Sequence, residues 1–205
     1  MTRTMIIDPP NGQIPLQEWA IEKRQEIMAN QDNLEHLDPR VKCLPAALPR
    51  GNLPVGYNSY QFMQVPGAVI ILYEWNHHTR YIPLDDSSHV SSDIQLGMGD
   101  SRGHWEGDTL VVETTNFNRL TSLRGSTSNA RLIERFRRVD AETIGYQFTV
   151  EDPDTWPQPW TAQVELTKND EPLYEYACHE GNYGMLNLML SARAEDRKQE
   201  ATKSQ

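Results

Sequence analysis

The chain's 205 residues suffice for one well-packed domain and are short for two. A formal net charge of −10 with no basic stripe sets nucleic-acid binding aside, because that surface repels a phosphate backbone. No stretch approaches the roughly eighteen apolar residues of a membrane span; the longest apolar run, Ala68–Tyr73, is strand-sized.

Residues 1–56 read as an arm. The opening Met1-Thr2-Arg3-Thr4-Met5-Ile6-Ile7 lacks the apolar length and small-residue cleavage site of a signal peptide. The chain as it stands therefore reads as cytoplasmic, or as an exported protein whose signal has been removed. Asp8-Pro9-Pro10-Asn11-Gly12 is a turn cluster, since proline fixes φ and Asn-Gly accepts positive φ. A helix is expected over 16–30, with Trp19, Ile21, Ile27 and Met28 as a modest apolar stripe. Pro39, Pro45, Pro49 and Pro54 then mark a loop that wraps the domain.

From Tyr57 the hydrophobic period becomes two. Strands are expected over 60–65 and 68–75 around a Pro66-Gly67 turn, with a third over 79–84. Polar residues 85–100 read as a long loop. Three hairpins follow: 103–106 with 109–117, 130–139 with 143–151, and 160–168 with 173–178. In 109–117, Leu110, Val112 and Thr114 take one face and Val111, Glu113 and Thr115 the other. Eight or nine short strands at hairpin spacing predict a mainly β fold, an antiparallel lipocalin-like (calycin-like) barrel over 57–179. The rest, 180–205, reads as a C-terminal helix from Tyr183 to about residue 198 and a disordered end over 201–205.

Polar residues at strand positions mark three candidate sites. In Tyr73-Glu74-Trp75-Asn76-His77-His78-Thr79-Arg80, continued alternation sets Tyr73, Trp75 and His77 on one face and Glu74, Asn76 and His78 on the other. His77 would then be a pocket base beside two aromatics, or a surface residue at a strand end. In the run 99–108, Asp100 and Arg102 bracket a turn and suit either an ion pair or a site, with Trp105 beside them. In 175–183, His179 and Glu180 form a possible acid–base pair flanked by Tyr176 and Tyr183. Alternatively, Glu180 and Asn182 cap the following helix.

Other chemistries find less support. The histidines and carboxylates lack the spacing of a known zinc or iron motif, so no metal and no organic cofactor is expected. There is no Gly-x-Ser-x-Gly elbow and no phosphate-cradling glycine loop. Trp156-Pro157-Gln158-Pro159-Trp160 suits a lid, a stacking platform or a structural corner. Cys43 and Cys178 are either bridged in an oxidising compartment or buried thiols.

The segments 7–15, His77-His78-Thr79-Arg80, Ile82-Pro83-Leu84-Asp85, 99–117, Glu134-Arg135-Phe136 and 176–185 span nearly the whole chain. In them the sequence resembles a family of largely uncharacterised, often exported bacterial proteins. The resemblance implies no particular reaction. Its members usually read His-Asp-Thr-Arg where this chain has His77-His78-Thr79-Arg80, which favours His77 over His78 as a site residue. Their frequent export implies a removed signal here, and with it a Cys43–Cys178 bridge.

The leading expectation is a cofactor-independent acid–base enzyme, of lyase, dehydratase, isomerase or cyclase type, acting on a small, partly apolar molecule. His77 would be its base, Arg80 or Arg102 would steady negative charge, and Asp100, His179 or Glu180 would orient the base or act as acid. Tyr73, Trp75, Trp105, Tyr176 and Tyr183 would line the pocket. The alternatives are a lipocalin-like binding protein for a hydrophobic molecule, and a carbohydrate-binding or envelope interaction module using Trp156 and Trp160. A homo-oligomer is compatible with each.

Overall fold

The computed structural model describes residues 5–31, 33, 36–46, 48–54, 59–118, 120 and 126–203. Tyr57, where the two-residue period begins, and the terminal residues 1–4 and 204–205 lie outside them. Short turns set the strand order. β2 (Tyr60–Val65) returns as β3 (Ala68–Tyr73) through Pro66-Gly67, with Gly67 at φ +75°. β4 (Thr79–Pro83) completes a three-stranded antiparallel sheet, β2-β3-β4.

The second sheet is a meander with one addition. β5 (Asp100–Glu106), β6 (Thr109–Thr115), β7 (Arg131–Arg138), β8 (Thr143–Glu151) and β9 (Trp160–Thr167) pair in sequence. β1 (Ile6–Asp8) adds to β9, with Ile6 opposite Ala162. Three residues before a proline pair are too few to display a period, so this strand is invisible in the sequence. The arm is thus part of the sheet.

Alternation sorts the faces as expected. Leu110, Val112 and Thr114 of β6 are buried, as are Leu132, Glu134 and Phe136 of β7 and Tyr146, Phe148 and Val150 of β8. These pack against Val69, Ile71, Tyr73 and Ile82 of the small sheet. Trp156 and Trp160 join the same core edge to face, 5.8 Å between centroids. They are a structural corner and form no open groove.

The fold is mainly β, in two antiparallel sheets with a C-terminal helix, but the expected barrel closure is not found. Among the described residues no hydrogen-bonded ladder joins β4 to β5. The sheets meet there through side chains instead. A Cβ on Gly103 would lie 2.7 Å from Ile82 and 2.9 Å from Leu84, so only glycine lets β5 approach so closely.

The helices match their expected places. α1 spans Glu18–Ala29, and its Trp19 indole donates to the Asp154 carbonyl at 2.7 Å. α2 spans Tyr183–Lys203 and so runs beyond residue 198 into the expected disordered end. Neither is long and apolar enough to cross a membrane.

The strand expected over 173–178 does not form. Among the described residues one bridge, Trp75 to Tyr176, is made by this segment, with the two rings stacked at 4.4 Å. A Cys43–Cys178 disulfide, with Cα atoms 5.6 Å apart, draws this segment towards the arm and the β3–β4 turn instead of back along β9. The bond closes a loop of 135 residues, for which unfolded-chain entropy gives about 5 kcal/mol. The Cys43→Ser/Cys178→Ser protein is expected to lose about 2–5 kcal/mol of stability in urea unfolding, and an unchanged midpoint would refute that contribution.

Candidate functional site

The strand alternation that sets His77 on the face of Tyr73 and Trp75 stops at Tyr73. Asn76 and His77 both have φ +51°, the left-handed turn conformation, and the Tyr73 N–H donates to the His78 carbonyl at 2.8 Å. The reversal leaves His77 exposed at the tip. Counting restarts in β4 and sends His78 inward beside Arg80 and Ile82. This corrects the sequence-based preference for His77. The signal was present in Asn76, a residue that tolerates positive φ.

Arg80 and Glu134 form the polar centre of the core. The guanidinium pairs with the carboxylate across the two sheets, and both side chains are almost inaccessible. Arg80 Nε donates to Ser101 Oγ at 2.9 Å and Nη2 to Thr114 Oγ1 at 2.7 Å. The other Glu134 oxygen accepts from Asn52 Nδ2 at 2.7 Å and from the Tyr146 hydroxyl at 2.8 Å. Asn52 Oδ1 accepts from the Tyr73 hydroxyl at 2.6 Å, and its carbonyl from Tyr60 at 2.9 Å.

Burial, with the charge of Glu134 adding to it, pushes the phenols of Tyr60, Tyr73 and Tyr146 well above their ordinary range. They therefore remain donors. Burial opposes the charge of Arg80, and Glu134 more than offsets that penalty. Four buried nitrogens, Arg80 Nη1, His78 Nε2 and the indoles of Trp156 and Trp160, are without a hydrogen-bond partner among the described residues.

A crevice adjoins this network. Ser59, Tyr73, Trp75, His78 and Met98 line it, with Ala46 and Gly51 of the arm. Its empty space is about 260 Å³ counted out to the open mouth, of which only about 10 Å³ admits a water. Burial holds the His78 imidazole below its ordinary value, so the ring is neutral at pH 7.

The remaining expected residues fall elsewhere. Asp100 and Arg102 are joined at 2.8 Å, and Arg102 also donates to the Ser88 carbonyl at 3.0 Å. Asp100 accepts from the Val90 N–H at 3.0 Å and lies 2.9 Å from His89 Nδ1. His89, which sequence reasoning missed, is thereby an orienting contact for loop 85–99. Its Nε2 lies 3.5 Å from Glu113, so both ring nitrogens are engaged. Asn116, at φ +58°, pins the same loop by donating to the carbonyls of Ser91 and Ile94. No spacing rule connects His89 to Asp100 across a loop.

Trp105 is exposed near the β5–β6 turn, and Tyr183 is exposed at the start of α2. His179 and Glu180 are exposed in the turn before α2, whose cap is Asn182, accepting from the Met185 N–H. Tyr176 stacks on Trp75, which lines the crevice. Among the described residues, no hydrogen bond or ion pair joins His77 or His179 to Asp100 or Arg102. No group of histidines, cysteines and carboxylates there has the arrangement of a metal site.

No family model, curated protein or solved structure matches the chain.

Breaking the buried pair leaves one charge uncompensated. Glu134→Ala or Arg80→Met alone is expected to cost about 3–5 kcal/mol, whereas Arg80→Met/Glu134→Leu is less destabilised than either single variant. Urea unfolding of the three proteins checks this cycle, and additive losses would refute the coupling.

The lowered His78 value has a definite sign. The unfolded chain takes up a proton at a higher pH than the folded one, so stability is lost as pH falls from about 6.5 through the folded value. His78→Phe is expected to flatten the acid side of the melting-temperature profile, and a profile identical in shape to that of the parent protein would refute the assignment.

Proposed function

We propose that the protein binds a small, mostly apolar molecule at the crevice bounded by Tyr73, Trp75, His78 and Met98, as a carrier or receptor of the lipocalin kind. One observation carries this reading: the surface exposed in the crevice is apolar, and His78, whose Nε2 is buried without a partner, is among the residues that line it. Binding sites join apolar walls to a few placed polar groups in this way. The arm residues Ala46 and Gly51 close one side of the crevice.

Export to an oxidising compartment, with membership of the often-exported family its motifs resemble, belongs to the same proposal. The Cys43–Cys178 bond supports it. The acid–base enzyme is the weaker reading, because its expected residues are divided among an exposed turn, an ion-paired loop anchor and the segment before α2. The His89–Asp100 pair does not rescue it, since neither ring nitrogen is spare.

Titration with indole and benzyl alcohol, followed by NMR, tests the proposal. Saturable shifts are expected at the Trp75 indole N–H, the His78 ring and the Met98 methyl, with each probe recovered unchanged. His78→Phe should abolish them. Shifts scattered over the surface, or insensitive to that substitution, would overturn the assignment, and consumption of a probe would favour the enzyme.

A further inference from the structure

Two apolar surfaces of the molecule face solvent. The first is the outer side of the small sheet. In the register of β2, β3 and β4, Met63, Ile70 and Tyr81 lie side by side, with Val65 and Pro83 in the next row and Leu72 in the row before. Tyr81 and Val65 are exposed, the other four are half-buried, and of the outward residues only Ala68 is buried. No outward position of these strands carries a charge. The large sheet does the opposite, covering its solvated face with paired arginines and glutamates. A sheet with one face in water alternates apolar inside with polar outside, so a face apolar on its outer side as well marks an interaction surface.

The second surface is α2, none of whose described side chains is buried. Tyr183, Leu186 and Leu190, at spacings of three and four, form an exposed stripe that Arg193 and Arg197 continue. A helix draws most of its stability from packing an apolar face, and this stripe is not packed within its own chain. The root of α2 is fixed, because Asn182 donates to the Val41 carbonyl at 2.9 Å and to Cys43 Sγ of the disulfide at 3.3 Å.

The two surfaces fit each other in length and charge. Three rows of the sheet span about 13 Å, and the turns from Tyr183 to Leu190 span about 10 Å. A helix laid along the strands carries Arg193 and Arg197 about 15 and 21 Å from Tyr183, past the Pro83 row, where exposed Asp85 and Asp86 follow β4. Two copies of a chain with net charge −10 repel, except where they meet through uncharged surface or opposite charge, and this contact offers both.

We propose that two copies of the chain form a two-fold dimer in which α2 of each lies on the outer face of the small sheet of the other. One chain carries both halves of the contact, which is the self-complementarity a two-fold axis requires. Each protomer contributes a helix stripe and a sheet face, so each need cover only about 400 Å² for the roughly 800 Å² per partner of a standard interface.

The test is sedimentation velocity of the intact, disulfide-bonded protein across a concentration series, in which a monomer–dimer equilibrium is expected. Leu186→Glu/Leu190→Glu and Met63→Glu/Tyr81→Glu should each raise the dimer dissociation constant at least about a hundred-fold, because each change enters both symmetric contacts. Circular dichroism should be unchanged, and Tyr81→Glu alone, at an exposed position, replaces the sheet variant if that one fails to fold. An equimolar mixture of the helix and sheet variants is the deciding measurement. Its heterodimer keeps one whole contact, an intact helix on an intact sheet, so the mixture should associate more tightly than either variant alone.

A parent protein that is monomeric at every concentration would overturn the dimer. Undiminished dimerisation of the helix variant, or of the sheet variant, would overturn the seating of α2 on the sheet. So would a mixture that associates no better than its components.

Discussion

One guanidinium–carboxylate pair, Arg80 with Glu134, ties together two sheets that share no hydrogen-bonded ladder among the described residues. A charge in an apolar core is tolerable only when it is paired and hydrogen-bonded, because removing it from water is costly. The surroundings are arranged accordingly. Ser101 and Thr114 come from the large sheet, Tyr73 from the small one and Asn52 from the arm. Three layers of the structure are therefore held to one geometry by a single buried network.

That requirement governs the neighbouring parts. Asn52 must sit deep in the core, so the arm is clamped across the mouth of the domain and roofs the crevice. Gly103 must remain small so that β5 can approach Ile82 and bring Ser101 towards Arg80. The disulfide and the Trp75–Tyr176 stack hold the other end of the arm to the segment before α2. By contrast, the ladder of Arg135 with Glu106 and of Arg131 with Glu113 and Glu151 lies on the solvated face. There ion pairs contribute little each and serve mainly to keep that face polar.

Much of the scaffold was legible because a half-buried strand declares itself residue by residue. The 60–65 and 143–151 strands match β2 and β8 at both ends, and Leu110, Val112 and Thr114 occupy the buried face that their alternation assigns. The misses share a cause. Period-two counting carried across residues 74–78 set His77 beside Tyr73 and Trp75, whereas two left-handed residues restart the count and turn His78 inward. The expected strand over 173–178 had the right residues but lacked a neighbour to pair with. The contact of His89 with Asp100 spans a loop, where no period exists.

The sequence alone therefore determined the local elements: the turns, the strands and the two sides of each, because these depend on neighbours a few residues away. It placed Arg80 among the candidate residues but had no means of pairing it with Glu134, which stands 54 positions later. Only the tertiary structure decided that pairing, the bond between Cys43 and Cys178, the separation of the sheets at β4 and β5, and the place of His78 in the crevice wall. The physical reason is that partners for buried charge are set by which faces pack together, and that is a property of the assembled chain.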